Sequence, residues 1–192
     1  MAIGRFTSSI LMYSEKDLVK ECLGNNAKAH EEFYKRYATK MYGVCLRFAK
    51  NKMEADDILQ EGFIKAFTNL KSFRNEGSLE GWVRRTIVNT AINHVKKFAK
   101  YKKDLDIDTA EPVRNLSSNA VDKISIDELL KLIKDLPIGY KMVFNLNVME
   151  GYTHREIGAL LDISENTSKS QLSRARHTLQ RKVNEIYNND RF

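Results

Sequence analysis

Apolar positions recur at helical spacing along most of the chain, as they do in helices that bury one stripe and leave the rest wet. Ser14, three residues ahead of Asp17, can cap a short helix in which Leu18, Val19, Cys22 and Leu23 are apolar, and Asn25 and Asn26 break it. The next helix places Phe33, Tyr37, Met41, Val44, Cys45 and Phe48 on one face and closes at Asn51. Core packing accounts for that aromatic stripe. A third helix is expected over 55–70, burying Leu59, Phe63, Ala66, Phe67 and Leu70. Asp57, Gln60, Glu61, Lys65 and Thr68 point the other way, and Asp56 and Asp57 fall in the first turn, where the helix dipole favours negative charge. Residues 71–80 read as a loop of turn formers with an exposed Phe73. From about Leu79 a fourth helix lines up Val83, Ile87, Ala91 and Val95, widened by Val88 and Ile92.

Residues 104–122 show no apolar period, hold turn formers and acids, and read as an extended linker. Periodicity resumes with Ile126, Leu129, Leu130, Ile133 and Leu136, behind Ser125 as a cap. Pro137 suits the start of the next helix, where it needs no donor. In that segment Phe144, Leu146 and Val148 alternate as a strand would, but flanking helices and the stop at Gly151 favour helix. Thr153 and Glu156 form a capping box for a short helix that ends at Leu161. The turn Asp162-Ile163-Ser164 leads to a last helix that buries Ser168, Leu172, Ala175, Leu179, Val183 and Ile186. Short helix, tight turn and longer basic helix make a helix-turn-helix. The expected class is all-α, with two small helical domains over 1–100 and 125–192 joined by a flexible acidic linker over 101–124.

Charge sharpens this division. The chain of 192 residues carries a net charge of +7, with +9 over 24–103, −5 over 104–128 and +3 over 129–192. Two basic blocks around an acidic bridge suit two domains better than one, and they point to an anionic partner. Cys22 and Cys45 are the only cysteines, too few for a disulfide scaffold, and read as reduced core residues of a cytoplasmic protein. No stretch approaches a membrane span, and no signal segment is visible at the start. His30, His94, His154 and His177 are scattered without ligand spacing, so no metal or cofactor is expected.

Two surfaces carry candidate chemistry. On the fourth helix Arg84, Arg85, Asn89, Asn93, Lys96, Lys97, Lys100, Lys102 and Lys103 share one face with almost no acid, as a nucleic-acid contact would. Phe73 could receive an unstacked base beside it, and Trp82 suits the core better. In the helix-turn-helix, Asn166, Thr167, Lys169 and Ser170 lie nearest the end that enters the major groove and are candidates for base reading. Ser173, Arg174 and Arg176 suit phosphates, which position without specifying, and His177 lies on the same face. A chain with one duplex reader and one surface suited to single strands fits a protein that finds a site and holds it open.

The stretch ADDILQEGFIKAF resembles the polymerase-binding signature of bacterial RNA polymerase sigma factors of the extracytoplasmic-function class. GWVRRTIVNTAINHVKK resembles that family's promoter-melting helix, and EGYTHREIGALLDISENTSKSQLSRAR its promoter-reading helix-turn-helix, in the family's order and spacing. The resemblance implies that Asp57, Gln60 and Glu61, with Asp56 beside them, contact the clamp of the largest subunit of core RNA polymerase. It implies that the loop Phe73–Glu80, with Arg74 and Asn75, and the helix Trp82–Lys97 hold the minus-ten element. The helix from Ser164 would read the minus-thirty-five element near the polymerase flap, and the acidic linker would thread toward the active site or RNA exit path. Promoter DNA and an anti-sigma factor are the other implied partners. Asp162 stands where the family has glycine and Ser168 where it has an aliphatic residue, which implies looser packing there. An ordinary helix-turn-helix regulator and a nuclease using the acids at 56, 57 and 61 are the competing readings, the latter lacking a second ligand cluster.

Overall fold

The computed structural model describes residues 13–101 and 125–189, all helical or connecting. α1 (Glu15–Leu23) starts behind Ser14, whose hydroxyl accepts from the Asp17 amide. It buries Leu18, Val19 and Cys22, while Leu23 is half exposed, because the helix meets its neighbour along a narrower stripe than expected. Asn25, in the left-handed region at φ 59°, turns the chain, and the Asn26 side chain caps α2 (Ala27–Phe48). All six residues of the predicted stripe on α2, from Phe33 to Phe48, are buried.

Asn51 opens the third helix instead of closing the second. Its side chain accepts from the Glu54 amide, so α3 (Lys52–Asn69) begins three residues earlier than the apolar period indicated. Asp56 and Asp57 consequently sit beyond the first turn, whose acid is Glu54. A 3₁₀ turn (Leu70–Ser72) and a loop with two positive-φ residues, Asn75 and Gly77, lead to α4 (Leu79–Tyr101). α3 and α4 cross closely at Gly62, where an added Cβ would stand 2.3 Å from Ile87 Cδ1. Phe33, Phe63 and Phe67 stack in mutual edge and tilted contacts between α2 and α3.

The predicted linker lies outside the described residues. Beyond it, α5 (Ile126–Lys134) begins with a reciprocal capping box between Ser125 and Glu128. Ile133 and Leu136 are buried as expected, but Leu130 is exposed. Pro137 takes the N-cap of α6 (Ile138–Phe144), and the ambiguous segment continues as a π-helical turn, Asn145–Met149. The helical reading holds there, and Gly151 at φ 76° ends it. α7 (His154–Leu161) carries the predicted Thr153–Glu156 capping box, and α8 (Glu165–Asn189) follows the three-residue turn.

The two helical groups touch. Met142, Val143, Leu146, Ile157 and Leu172 belong to one continuous buried cluster with the cores of α1–α4, and a smaller cluster joins Ile133 and Leu136 to Ala175 and Leu179. Both cysteines are buried and free, and burial pushes Cys22 up to about 11 and Cys45 to about 12, so neither is a reactive thiol.

Candidate nucleic-acid and partner interface

On α3 the buried residues Ala55, Ile58, Leu59, Gly62, Phe63 and Ala66 face inward and leave Asp56, Asp57, Gln60 and Glu61 exposed together. Glu61 pairs with Lys65 at 2.6 Å one turn on, and burial followed by the negative charge of Asp56 pushes the Tyr42 pKa up. Two large apolar residues share this surface: Met53 is 72% exposed and Ile64 65%. Spacing puts Met53, Asp57, Gln60 and Ile64 on one line down the helix. A purely solvated acidic face has no use for two bare apolar side chains, whereas a docking surface does. The sequence stripe did not flag them, because each falls between positions of the buried face.

Most of the basic face of α4 is open, but Arg84 is half-buried against Glu150 and so is not part of the bare face expected for it. Arg85, Asn89, Asn93, Lys96 and Lys97 are exposed, and Arg74 and Asn75 project from the preceding loop. Lys102 and Lys103 lie outside the described residues. Phe73 is a correction. It is only 8% exposed and lies 5.8 Å from the Trp82 ring, centroid to centroid, so in this conformation it is core and presents no free face to a base. The loop folds back because Glu15 accepts from the Leu79 amide at 3.1 Å and Lys40 holds Glu80 at 2.6 Å.

In the helix-turn-helix, Asp162 adopts the left-handed conformation at φ 60°, ψ 46°, which lets the chain reverse after α7. α7 approaches the turn so closely that a Cβ on Gly158 would stand 2.8 Å from the Ile163 carbonyl oxygen. Asn166, Lys169, Ser170, Ser173 and Arg176 are exposed, and Thr167, Arg174 and His177 are half-buried. Thr167 is committed locally, with its amide donating to Ser164 Oγ at 2.9 Å and its hydroxyl meeting that oxygen at 2.8 Å. Ser170 donates to the Thr167 carbonyl, and Lys169 pairs with Glu165 at 2.7 Å. Ser168 does not loosen the packing. It is fully buried, and its hydroxyl lies 2.9 Å from His154 Nδ1, which ties the first residue of α7 to α8. No apolar period could have signalled that bond.

Comparison with known proteins agrees with this layout. Sigma-70 region 2 matches residues 33–100, and Sigma-70 region 4 matches residues 126–179. The chain belongs to the sigma factors of the extracytoplasmic-function class. Among its relatives, the sigma-E factors of Escherichia coli K12 and Salmonella typhimurium LT2 are each 29% identical, the match covering 88% of this chain and 94% of theirs. The sigma-E factor of Haemophilus influenzae is 26% identical over 88% of this chain and 95% of its own. In fold, this sigma factor is similar to the sigma factor RpoE solved with the anti-sigma factor NepR from Bartonella quintana (TM-score 0.53, 19% identity, 83% of this chain and 99% of that one). CnrH, solved with the cytosolic domain of CnrY, is similar at TM-score 0.50 and 17% identity over 89% of this chain and 97% of its own.

The sigma factor also shows a polar joint between its two halves. Glu150, after the π-helical turn, accepts from Arg84 Nε at 2.5 Å and pairs with Arg47, and its side chain is 2% exposed. This pairing raises the Arg84 pKa further. Asn145 Nδ2 donates to the Arg47 carbonyl at 2.9 Å, capping the C-terminal end of α2 from the other half. Beside the joint lies a cleft of about 270 Å³ lined by Arg84, Arg85, Glu150, Tyr152 and Glu156. Burial pushes the Tyr152 pKa up, and Arg85 lies within electrostatic reach of both Tyr152 and Glu156.

Proposed function

We propose that this sigma factor attaches to the largest-subunit clamp of core RNA polymerase through Asp57, Gln60 and Glu61, with Asp56 beside them and Met53 and Ile64 as apolar anchors. In this reading residues 1–100 form the polymerase-binding and minus-ten unit, 101–124 the acidic linker, and 125–192 the minus-thirty-five reader, which sits near the flap. Arg85, Asn89, Asn93, Lys96 and Lys97 hold the downstream element with Arg74 and Asn75, and Asn166, Lys169 and Ser170 meet base edges upstream. Arg174, Arg176 and Ser173 then hold phosphates. The protein works in the cytoplasm, alongside the polymerase it serves, and an anti-sigma factor is a fitting regulator. The observation that carries the reading is the acidic face of α3, exposed and flanked by bare apolar residues on a chain of net charge +7.

Energetics favour a partner. Opening about ten base-pair steps costs roughly 14 kcal/mol at about 1.4 kcal/mol per step. A stacked base returns only about 1–3 kcal/mol, and burial of Phe73 removes one platform in the free chain. The rest of the strand-holding, and the chemistry of synthesis, belong to the polymerase.

The test is transcription from candidate promoters by sigma-free core polymerase. Wild type is expected to give promoter-specific transcripts that an Asp57→Arg, Glu61→Arg double variant loses. Tight, specific operator binding by the isolated chain, with no contribution from core polymerase, would instead support a stand-alone regulator.

A further inference from the structure

The joint between the halves uses residues that the promoter-holding surface needs. Glu150 reaches Arg84 across 66 positions of sequence and Arg47 across 103, and both arginines belong to the N-terminal half. A carboxylate with a side chain 2% exposed, set between two guanidiniums 18% and 37% exposed, is an anion enclosed by a two-armed cationic seat. Arg47 Nε finds no acceptor among the described residues, so the carboxylate leaves one buried donor of the seat unanswered. A phosphodiester has the same single negative charge as Glu150, and a guanidinium meets either group through paired, charge-assisted hydrogen bonds. Arg84 lies on α4 one position before the exposed Arg85, and both line a cleft with Tyr152 and Glu156 of the other half.

We propose that Arg47 and Arg84 form a binding seat for one backbone phosphate of promoter DNA, and that Glu150 occupies this seat as an internal substitute while the two halves are closed. Arg47 thereby joins the DNA-binding surface, a role its position on α2 gives no hint of. Closure and DNA binding exclude each other, because one seat cannot hold two anions. The free chain is therefore restrained until the halves are drawn apart, as attachment to a larger partner would do. This inference rests on the reading of α4 as the promoter-holding helix.

Removal of the carboxylate should weaken closure, since two guanidiniums left partly buried without a counter-charge regain water only when the halves part. The experiment compares full-length wild type, Glu150→Gln, Arg47→Gln and the charge-matched control Glu31→Gln, whose carboxylate lies exposed on α2. Circular dichroism establishes that each folds, and small-angle scattering reads closure. Anisotropy at fixed salt reads binding to a fluorescein-labelled forked DNA of mixed sequence, a duplex with a single-stranded tail. Glu150→Gln is expected to expand and to bind the fork about tenfold or more tightly, because the competent fraction no longer has to be drawn from a closed majority. Arg47→Gln is expected to expand without that gain, since it opens the joint but damages the seat; this variant also decides the matter should Glu150→Gln fail to fold. Equal gains in Glu150→Gln and Glu31→Gln, or a full gain in Arg47→Gln, would overturn the proposal. Wild-type transcription with core polymerase is run alongside. Promoter-specific transcripts combined with no gain in Glu150→Gln sink only the seat, whereas absence of transcripts sinks the reading beneath it.

Discussion

Lys141 is an amine enclosed by the fold, 5% exposed, with its ammonium donating to the Lys134 carbonyl at 3.2 Å. Burial pushes its pKa down, against the attraction of Glu54. The unfolded chain therefore holds this proton more tightly than the folded one. Stability rises with pH between the lowered folded value and the ordinary lysine value, and the cost is fully present below both. Lys141→Met should raise the melting midpoint near neutral pH by about 2–4 °C, the shift that about 1 kcal/mol produces at this size, and should flatten that alkaline rise; thermal unfolding across pH checks both. Asp162 is a second local strain. Replacement by glycine should stabilise the turn by about 0.5–1 kcal/mol, since a Cβ in the left-handed region costs energy that glycine avoids, again read by melting. Lys169→Ala should weaken upstream-element binding by about 1–3 kcal/mol and leave polymerase association intact, as electrophoretic shift and pull-down would show. Single positions were legible where burial follows period, as with Phe33 to Phe48. They were illegible where a partner distant in sequence decides: Phe73 turned inward beside Trp82, and Ser168 found His154.

Helix starts were readable because capping is local chemistry. Ser14, Ser125, Thr153 and Ser164 each accept from a backbone amide three residues on. Asn51 misled, since an asparagine ends one helix or begins the next with equal ease and only the fold decides. The Thr153 box is the start of the helix-turn-helix, and Thr153→Ala should cost about 1 kcal/mol, seen as an earlier melt of the C-terminal half. Its hydrogen bonds hold the Glu156 pKa below the ordinary glutamate value. That contribution is complete above the unfolded value and is lost as pH falls through the folded one. Helicity of α7 should decline on acidification in wild type and respond less in the alanine variant, which circular dichroism would follow. The π-helical turn was only half legible. Helix could be inferred from its neighbours, but the wider turn, which begins at the Asn145 that reaches the Arg47 carbonyl, could not.

At the scale of the molecule, the division into two helical groups could be read from the change of charge along the chain, and their closure could not. The joint is made by Glu150, Arg47 and Arg84, far apart in sequence and unremarkable by composition. The acidic face was visible in the helical spacing of Asp57, Gln60 and Glu61. Its apolar flanks, Met53 and Ile64, appeared only once exposure was known. The most direct measurement is the equilibrium affinity of this sigma factor for core polymerase, with wild type against the Asp57→Arg, Glu61→Arg variant in the absence of DNA. Sign reversal at a docking surface should weaken assembly by about 30-fold or more, equivalent to about 2 kcal/mol. An unchanged affinity in a variant that remains folded would contradict the docking of this chain through α3.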